Sequence, residues 1–156
     1  MKLLQLRYGP GRLAQRSGWV ATAAFVVGGV LVVWSSYIHF HLWQGLGYRH
    51  IPTIGPLFVL QSISGLVLGL LIVASRRVWA GVLGIGFGLS TLAGFLVSIN
   101  YGLFGFKDTW AAPFAHESFN LEIATIVILA IAVVLCLTGS SSAPNSATNT
   151  IGSTAV

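Results

Sequence analysis

Four long stretches of almost unbroken apolar residues dominate the chain: Gly18–Ile38, Ile54–Ala74, Val78–Ile99 and Ser118–Thr138. A helix needs about 20 predominantly apolar residues to cross the hydrocarbon core of a bilayer, and each stretch is close to that length. The runs are continuous rather than alternating at period two, so they do not read as strands of a membrane β-barrel. The pattern predicts an all-α integral membrane bundle of four transmembrane helices occupying 18–138.

The flanks differ in kind. Residues 1–17 carry Lys2, Arg7, Arg12 and Arg16 around a Gly9-Pro10-Gly11 break, which predicts a basic cytoplasmic leader at the membrane surface. A signal peptide has an apolar region of only about 7–15 residues and a small-residue cleavage site. The first run is longer and ends in Trp34-Ser35-Ser36-Tyr37, so it reads as a retained span. From residue 139 the chain is rich in Ser, Thr, Asn and Ala and has no charge, the composition of a disordered tail.

Charge sets the orientation. An even number of spans puts both termini on one side. That side holds Lys2, Arg7, Arg12, Arg16, Arg76 and Arg77, against only Arg49 and Lys107 on the other. Basic residues concentrate on the cytoplasmic side, so both termini and the 75–77 turn are expected in the cytoplasm of a plasma-membrane protein.

Composition narrows the class further. Hydrophobic residues make up 55% of the chain and charged ones 7%, with a mean hydropathy of +0.86. A soluble domain averages about 25% charged residues, so a soluble fold, a charged coiled coil and a disordered chain are all excluded. One cysteine, Cys136, leaves no internal disulfide and no CxxC redox pair. The net charge of +5 serves topology rather than nucleic acid, because no basic face or binding motif accompanies it.

Small residues recur four apart at Gly65/Gly69 in the second run and Gly84/Gly88 in the third, with Ala24/Gly28 and Ser90/Gly94 extending the pattern. Such spacing lets two helix backbones approach closely. It suits packing within the bundle, or contact with a second copy or a membrane partner subunit.

Candidate chemistry is one-sided. All four histidines (His39, His41, His50, His116) and all three acids (Asp108, Glu117, Glu122) fall on the predicted outer side. These are the side chains that bind metals or move protons near neutral pH. His39 and His41 diverge by about 200° on a helix, so they can share a metal only if the helix ends before His39. Otherwise they fit an interfacial belt with Tyr37, Trp43 and Tyr48, or one of them faces the interior as a functional group. Pro52 and Pro56 bracket the start of the second run, where Thr53 is placed to cap the helix. Arg49 has Glu117 or Glu122 as candidate partners, or snorkels to lipid phosphate.

The apolar loop after Asn100, with Phe104, Phe106, Trp110 and Phe114, is expected to lie in the interface or fold back as a lid. Glu122 lies about 6 Å inside the fourth span if that helix begins near Ser118. A carboxylate there faces a partner or a wet cavity. With Ser118, Gln61 and Asn100 it outlines an outward-facing polar pocket.

The segments His41-Leu42-Trp43, Gly47-Tyr48-Arg49, Ile51-Pro52-Thr53-Ile54-Gly55-Pro56-Leu57-Phe58 and Gly102-Leu103-Phe104-Gly105-Phe106 resemble those of small four-helix membrane proteins of high-GC Gram-positive bacteria. The resemblance spans about residues 20–138. It implies the fold and the membrane location, and no reaction or cofactor.

Three functions compete. The first is a non-enzymatic binding or accessory membrane protein using His41, Arg49, His50, His116, Glu117 and Glu122, with His39, His41, His116 and Glu122 as candidate metal ligands. The second is a small proton-coupled transporter acting as an oligomer through Glu122. The third is a haem or quinone redox subunit with His39 or His41 facing His116. No HExxH, GxSxG or Walker A motif supports an enzyme.

Overall fold

The computed structural model describes residues 16–141, with side chains from 18 to 138. It contains four helices: α1 (Arg16–Gly45), α2 (Ile54–Ser75), α3 (Val78–Asn100) and α4 (Ala115–Ser141). All four are long and apolar enough to cross a membrane, and the described residues form no strand. The protein is an all-α bundle with the character of a multi-pass membrane protein. The leader up to residue 15 and the tail beyond 141 lie outside the described residues.

Three boundaries differ from those expected by three residues or more. α1 does not stop at Ile38 but runs on to Gly45, because nothing from Tyr37 to Gln44 breaks a helix. The extension buries Ile38 and Leu42, four apart, in a cluster with Tyr48 and Ile54, the spacing that stacks side chains on one helix face. α4 begins at Ala115 rather than Ser118, and its far end takes in residues 139–141 of the expected tail.

The exposed surface of the bundle is apolar. Trp19, Leu60, Ile63, Val67 and Leu70 are each more than half exposed. A belt of this kind on a soluble monomer would be a liability; on four helices long and apolar enough to cross a membrane it suits a lipid environment. The interior divides along the bundle. Toward the end where α1 begins and α4 finishes, Phe25, Val32, Ile72, Leu129 and Val133 form an apolar core. Toward the other end lies the cluster around Ile38 and Tyr48. Polar side chains fill the level between, with Ser35, Ser36, Ser62, Glu122 and Thr125 all buried.

Small residues set the helix spacing. A Cβ on Gly69 would fall 2.7 Å from the Gly29 carbonyl oxygen, and one on Gly29 would fall 2.8 Å from that of Gly69. α1 and α2 therefore cross backbone to backbone. Gly65 is filled by Ser36 and Phe87, Gly84 by Leu129 and Ile72, and Gly88 by Ile126 and Glu122. The four glycines of the two motifs are buried against neighbours of the same chain. Ser90 and Gly94 instead border open space.

The connection between α3 and α4 folds back over the bundle. Leu103 and Phe106 exchange two backbone hydrogen bonds of 2.7 and 2.9 Å. Phe104 and Gly105 make the turn with φ of 51° and 81°, the positive values of a primed hairpin turn. This turn lays Leu103 and Phe106 against the Tyr48 cluster. At the start of α2, Thr53 occupies the cap position but makes no side-chain cap bond. Its φ of 66° takes it out of the extended conformation that capping uses.

Candidate functional site

α1 packs along α2 and α4, and α3 lies mainly on α4. The weaker contact between α2 and α3 leaves a cavity of about 460 Å³ near the loop-rich end of the bundle. That volume lies within the range of small-molecule sites, about 300–1,000 Å³. α2 contributes Phe58 and Gln61 to the wall, α3 contributes Phe87, Thr91 and Ser98, and α4 contributes Ser118 and Glu122. α1 adds His39, and the folded-back loop adds Leu103, Phe106 and Asp108. Leu57, Leu60, Ser64 and Ser90 also line it and are exposed, so the cavity opens on the outer flank between α2 and α3.

Glu122 is the central polar group. It is only 2% exposed and lies about 10 Å along α4 from Ala115, at 1.5 Å rise per residue. The earlier helix start thus places it deeper than the sequence suggests. One carboxylate oxygen, Oε1, accepts a 2.5 Å hydrogen bond from Ser35 Oγ. The other, Oε2, is buried with no hydrogen-bond partner. It faces α3, where a Cβ on Gly88 would lie 3.3 Å away. Leaving such an atom unpaired costs about 1–3 kcal/mol or more.

The same serine orients His39. Its Nδ1 lies 2.9 Å from the Ser35 carbonyl oxygen and donates to it, since a carbonyl can only accept. The neutral ring then carries its free lone pair on Nε2. The ring packs on Phe58, with centroids 5.1 Å apart. His39, Ser35 and Glu122 form one connected polar strip from α1 to α4. Gln61 Nε2 donates to Thr91 Oγ1 across the cavity's inner wall.

The outer part of the wall holds Asp108 and Tyr48. Burial pushes the Asp108 carboxyl above its ordinary range, against a smaller opposing effect from the Thr109 backbone N–H that it accepts at 2.8 Å. Burial also raises Tyr48, and the negative charge of Asp108 raises it further. The sequence sets Tyr48 in the interfacial belt and counts Asp108 among the three outer acids, with neither in the candidate binding set. Asp108 could have been found as one of only three acids, set in an otherwise apolar loop.

The remaining candidates are dispersed. Because α1 continues past His39, His41 turns to the opposite side. It is exposed, between Tyr37 and Phe114 at centroid distances of 6.1 and 5.6 Å. His116 is exposed and stacked on Trp110 at 5.2 Å. Glu117 is exposed. Arg49 and His50 are exposed and bonded to each other, with Arg49 Nε donating to His50 Nε2 at 3.0 Å. Among the described residues no ion pair joins Arg49 to Glu117 or Glu122. Asn100 is exposed and donates to the Leu96 carbonyl, outside the cavity.

The candidate metal ligands His39, His41, His116 and Glu122 do not converge. Among the described residues no group of three or more His, Cys, Asp or Glu side chains is placed to hold a metal ion. His39 lines the cavity, whereas His41 and His116 are not among its lining residues and pack on different aromatic rings, Phe114 and Trp110. The arrangement can bind an amphiphilic small molecule through one buried carboxylate, with aromatic walls around it. No protein-family model, curated protein or solved structure matches the chain.

Proposed function

We propose that the protein is a plasma-membrane binding protein that takes a small, membrane-soluble ligand into the cavity between α2 and α3. The observation that carries this reading is the free Oε2 of Glu122, buried and without a partner beside a cavity of ligand size. A buried polar atom is ordinarily satisfied, and a ligand donor is the natural group to satisfy this one. The opening lies on the flank that lipid would cover, which suits a ligand arriving from the bilayer. The six-to-two split of basic residues supports an orientation with the cavity at the extracytoplasmic end and both termini in the cytoplasm.

The test is native mass spectrometry of the full chain, released from membranes in mild detergent. A small molecule bound in defined ratio is expected. Gly94 lines the cavity, and a Cβ there would meet nothing within 4 Å. Gly94→Trp should therefore fill the space and displace the molecule. A ligand retained by both Gly94→Trp and Glu122→Gln would place binding elsewhere and defeat the reading.

Proton-coupled transport by an oligomer is a second reading. Its support is that a proton and a ligand would compete for the same free oxygen of Glu122. Reconstituted vesicles would show ligand-driven proton movement that Glu122→Gln abolishes; unchanged movement in that variant would dispose of it.

A further inference from the structure

We propose that the ligand of this cavity is a lipophilic organic cation, an inference that rests on the binding role proposed above. The first argument is the sign of the wall. The ionisable groups lining the cavity are Glu122, Asp108, Tyr48 and His39, and no Lys or Arg lines it among the described residues. An anion would meet two carboxylates and no opposing charge. A cation meets a carboxylate whose Oε2 has no other partner and whose Oε1 is already held in place by Ser35. A buried charge is tolerated only when paired, so a cationic ligand and Glu122 each remove the other's penalty.

The second argument is the wall's π surface. Tyr48, Phe58, Phe87, Phe95 and Phe119 line the same space. Aromatic faces attract cations, more strongly where water is excluded. The third is the opening on the lipid-facing flank, beside Leu57 and Leu60. A ligand using it must partition into the bilayer, which a compact hydrated ion does not. A bare metal ion is also poorly served, since no set of three ligating side chains forms among the described residues.

The experiment measures equilibrium binding of three probes of similar shape to the purified full chain in nanodiscs. They are tetraphenylphosphonium (cationic), tetraphenylborate (anionic) and triphenylphosphine oxide (neutral). Tetraphenylphosphonium is expected to saturate at one site and to bind at least about tenfold more tightly than the other two. Glu122→Gln, which keeps an acceptor for Ser35, should weaken it by about tenfold or more. Asp108→Asn should weaken it less, and Gly94→Trp should abolish it.

Equal affinity for all three probes, lost only in Gly94→Trp, would overturn the preference for a cation and leave the cavity as a binding site. Cation binding that is insensitive to both Glu122→Gln and Asp108→Asn would overturn the assigned charge recognition. Failure of every probe to saturate above empty nanodiscs would overturn the cation assignment; native mass spectrometry then decides the binding role separately.

Discussion

Ser35 Oγ donates to Glu122 Oε1 across 2.5 Å, tying α1 to the first third of α4. Both residues are buried, at 1% and 2% exposure, so water does not compete for the bond. The neighbouring buried hydroxyls of Ser36, Ser62 and Thr125 turn back to carbonyls of their own helices, four residues earlier. Ser35 instead reaches between helices. It also accepts His39 Nδ1 on its carbonyl oxygen, and so holds both ionisable groups of the inner cavity.

Removing the Ser35 hydroxyl should destabilise the bundle. Ser35→Ala leaves both oxygens of Glu122 without a partner and is expected to cost about 1–3 kcal/mol. Glu122→Gln retains an acceptor for Ser35 and should stay close to the parent in stability. Unfolding by denaturant in detergent compares the two. Equal loss in both variants would show that the Ser35 bond does not matter to the fold.

Close contact of α1 and α2 makes a second expectation. Alanine at Gly69 or Gly29 would drive a methyl group into the facing backbone carbonyl, at 2.7 and 2.8 Å. Backbone cannot rotate away as a side chain can, so the helices must separate. Each change should cost about 1–3 kcal/mol, the usual range for overpacking. Gly94→Ala, where nothing lies within 4 Å, serves as the control and should keep or slightly raise thermal stability, since alanine is the better helix former.

Asp108 gives the fold a pH dependence of known sign. Its carboxyl titrates above the ordinary range in the folded protein, chiefly because it is buried. The folded state therefore holds this proton more tightly than the unfolded one. The stability it contributes is present below the unfolded pKa and is lost as pH rises through the folded one. Tyr48, Glu122 and His39 line the same cavity, so the comparison must isolate Asp108. Melting curves of the parent and Asp108→Asn should diverge as pH rises through this window, with the asparagine variant losing less. The same variant should lower the Tyr48 pKa, because the Asp108 charge helps hold it up, and near-ultraviolet absorbance of the phenolate reads this directly.

The four spans and Glu122 were legible because both rest on local facts: runs of about 20 apolar residues, and a carboxylate set inside one of them. The ends were less so. Whether α1 stops at Ile38 or continues to Gly45 depends on Ile38 and Leu42 finding Tyr48 and Ile54, which is a tertiary matter. That single difference decides which histidine is inside. Tyr48 reaches the cavity wall from the α1–α2 connection by packing on Phe58, and Asp108 lies in the α3–α4 loop, which reverses at Phe104 and Gly105 with positive φ. A phenylalanine in that conformation is uncommon and gives no warning in the sequence.

The histidines offer a direct check on that helix extension. His41, His50 and His116 are exposed, whereas His39 is 8% exposed, covered by Phe58 and bonded through Nδ1 to the Ser35 carbonyl. Acylation by diethyl pyrocarbonate needs an accessible, unprotonated ring nitrogen. Peptide mapping over time should show the three exposed histidines modified first and His39 well behind them. Phe58→Ala removes the covering ring and should speed His39 while leaving His116, stacked on Trp110, at its original rate. If His39 and His41 reacted at the same rate in the parent protein, α1 would not continue as a helix past Ile38, and the polar strip from His39 through Ser35 to Glu122 would not exist in solution.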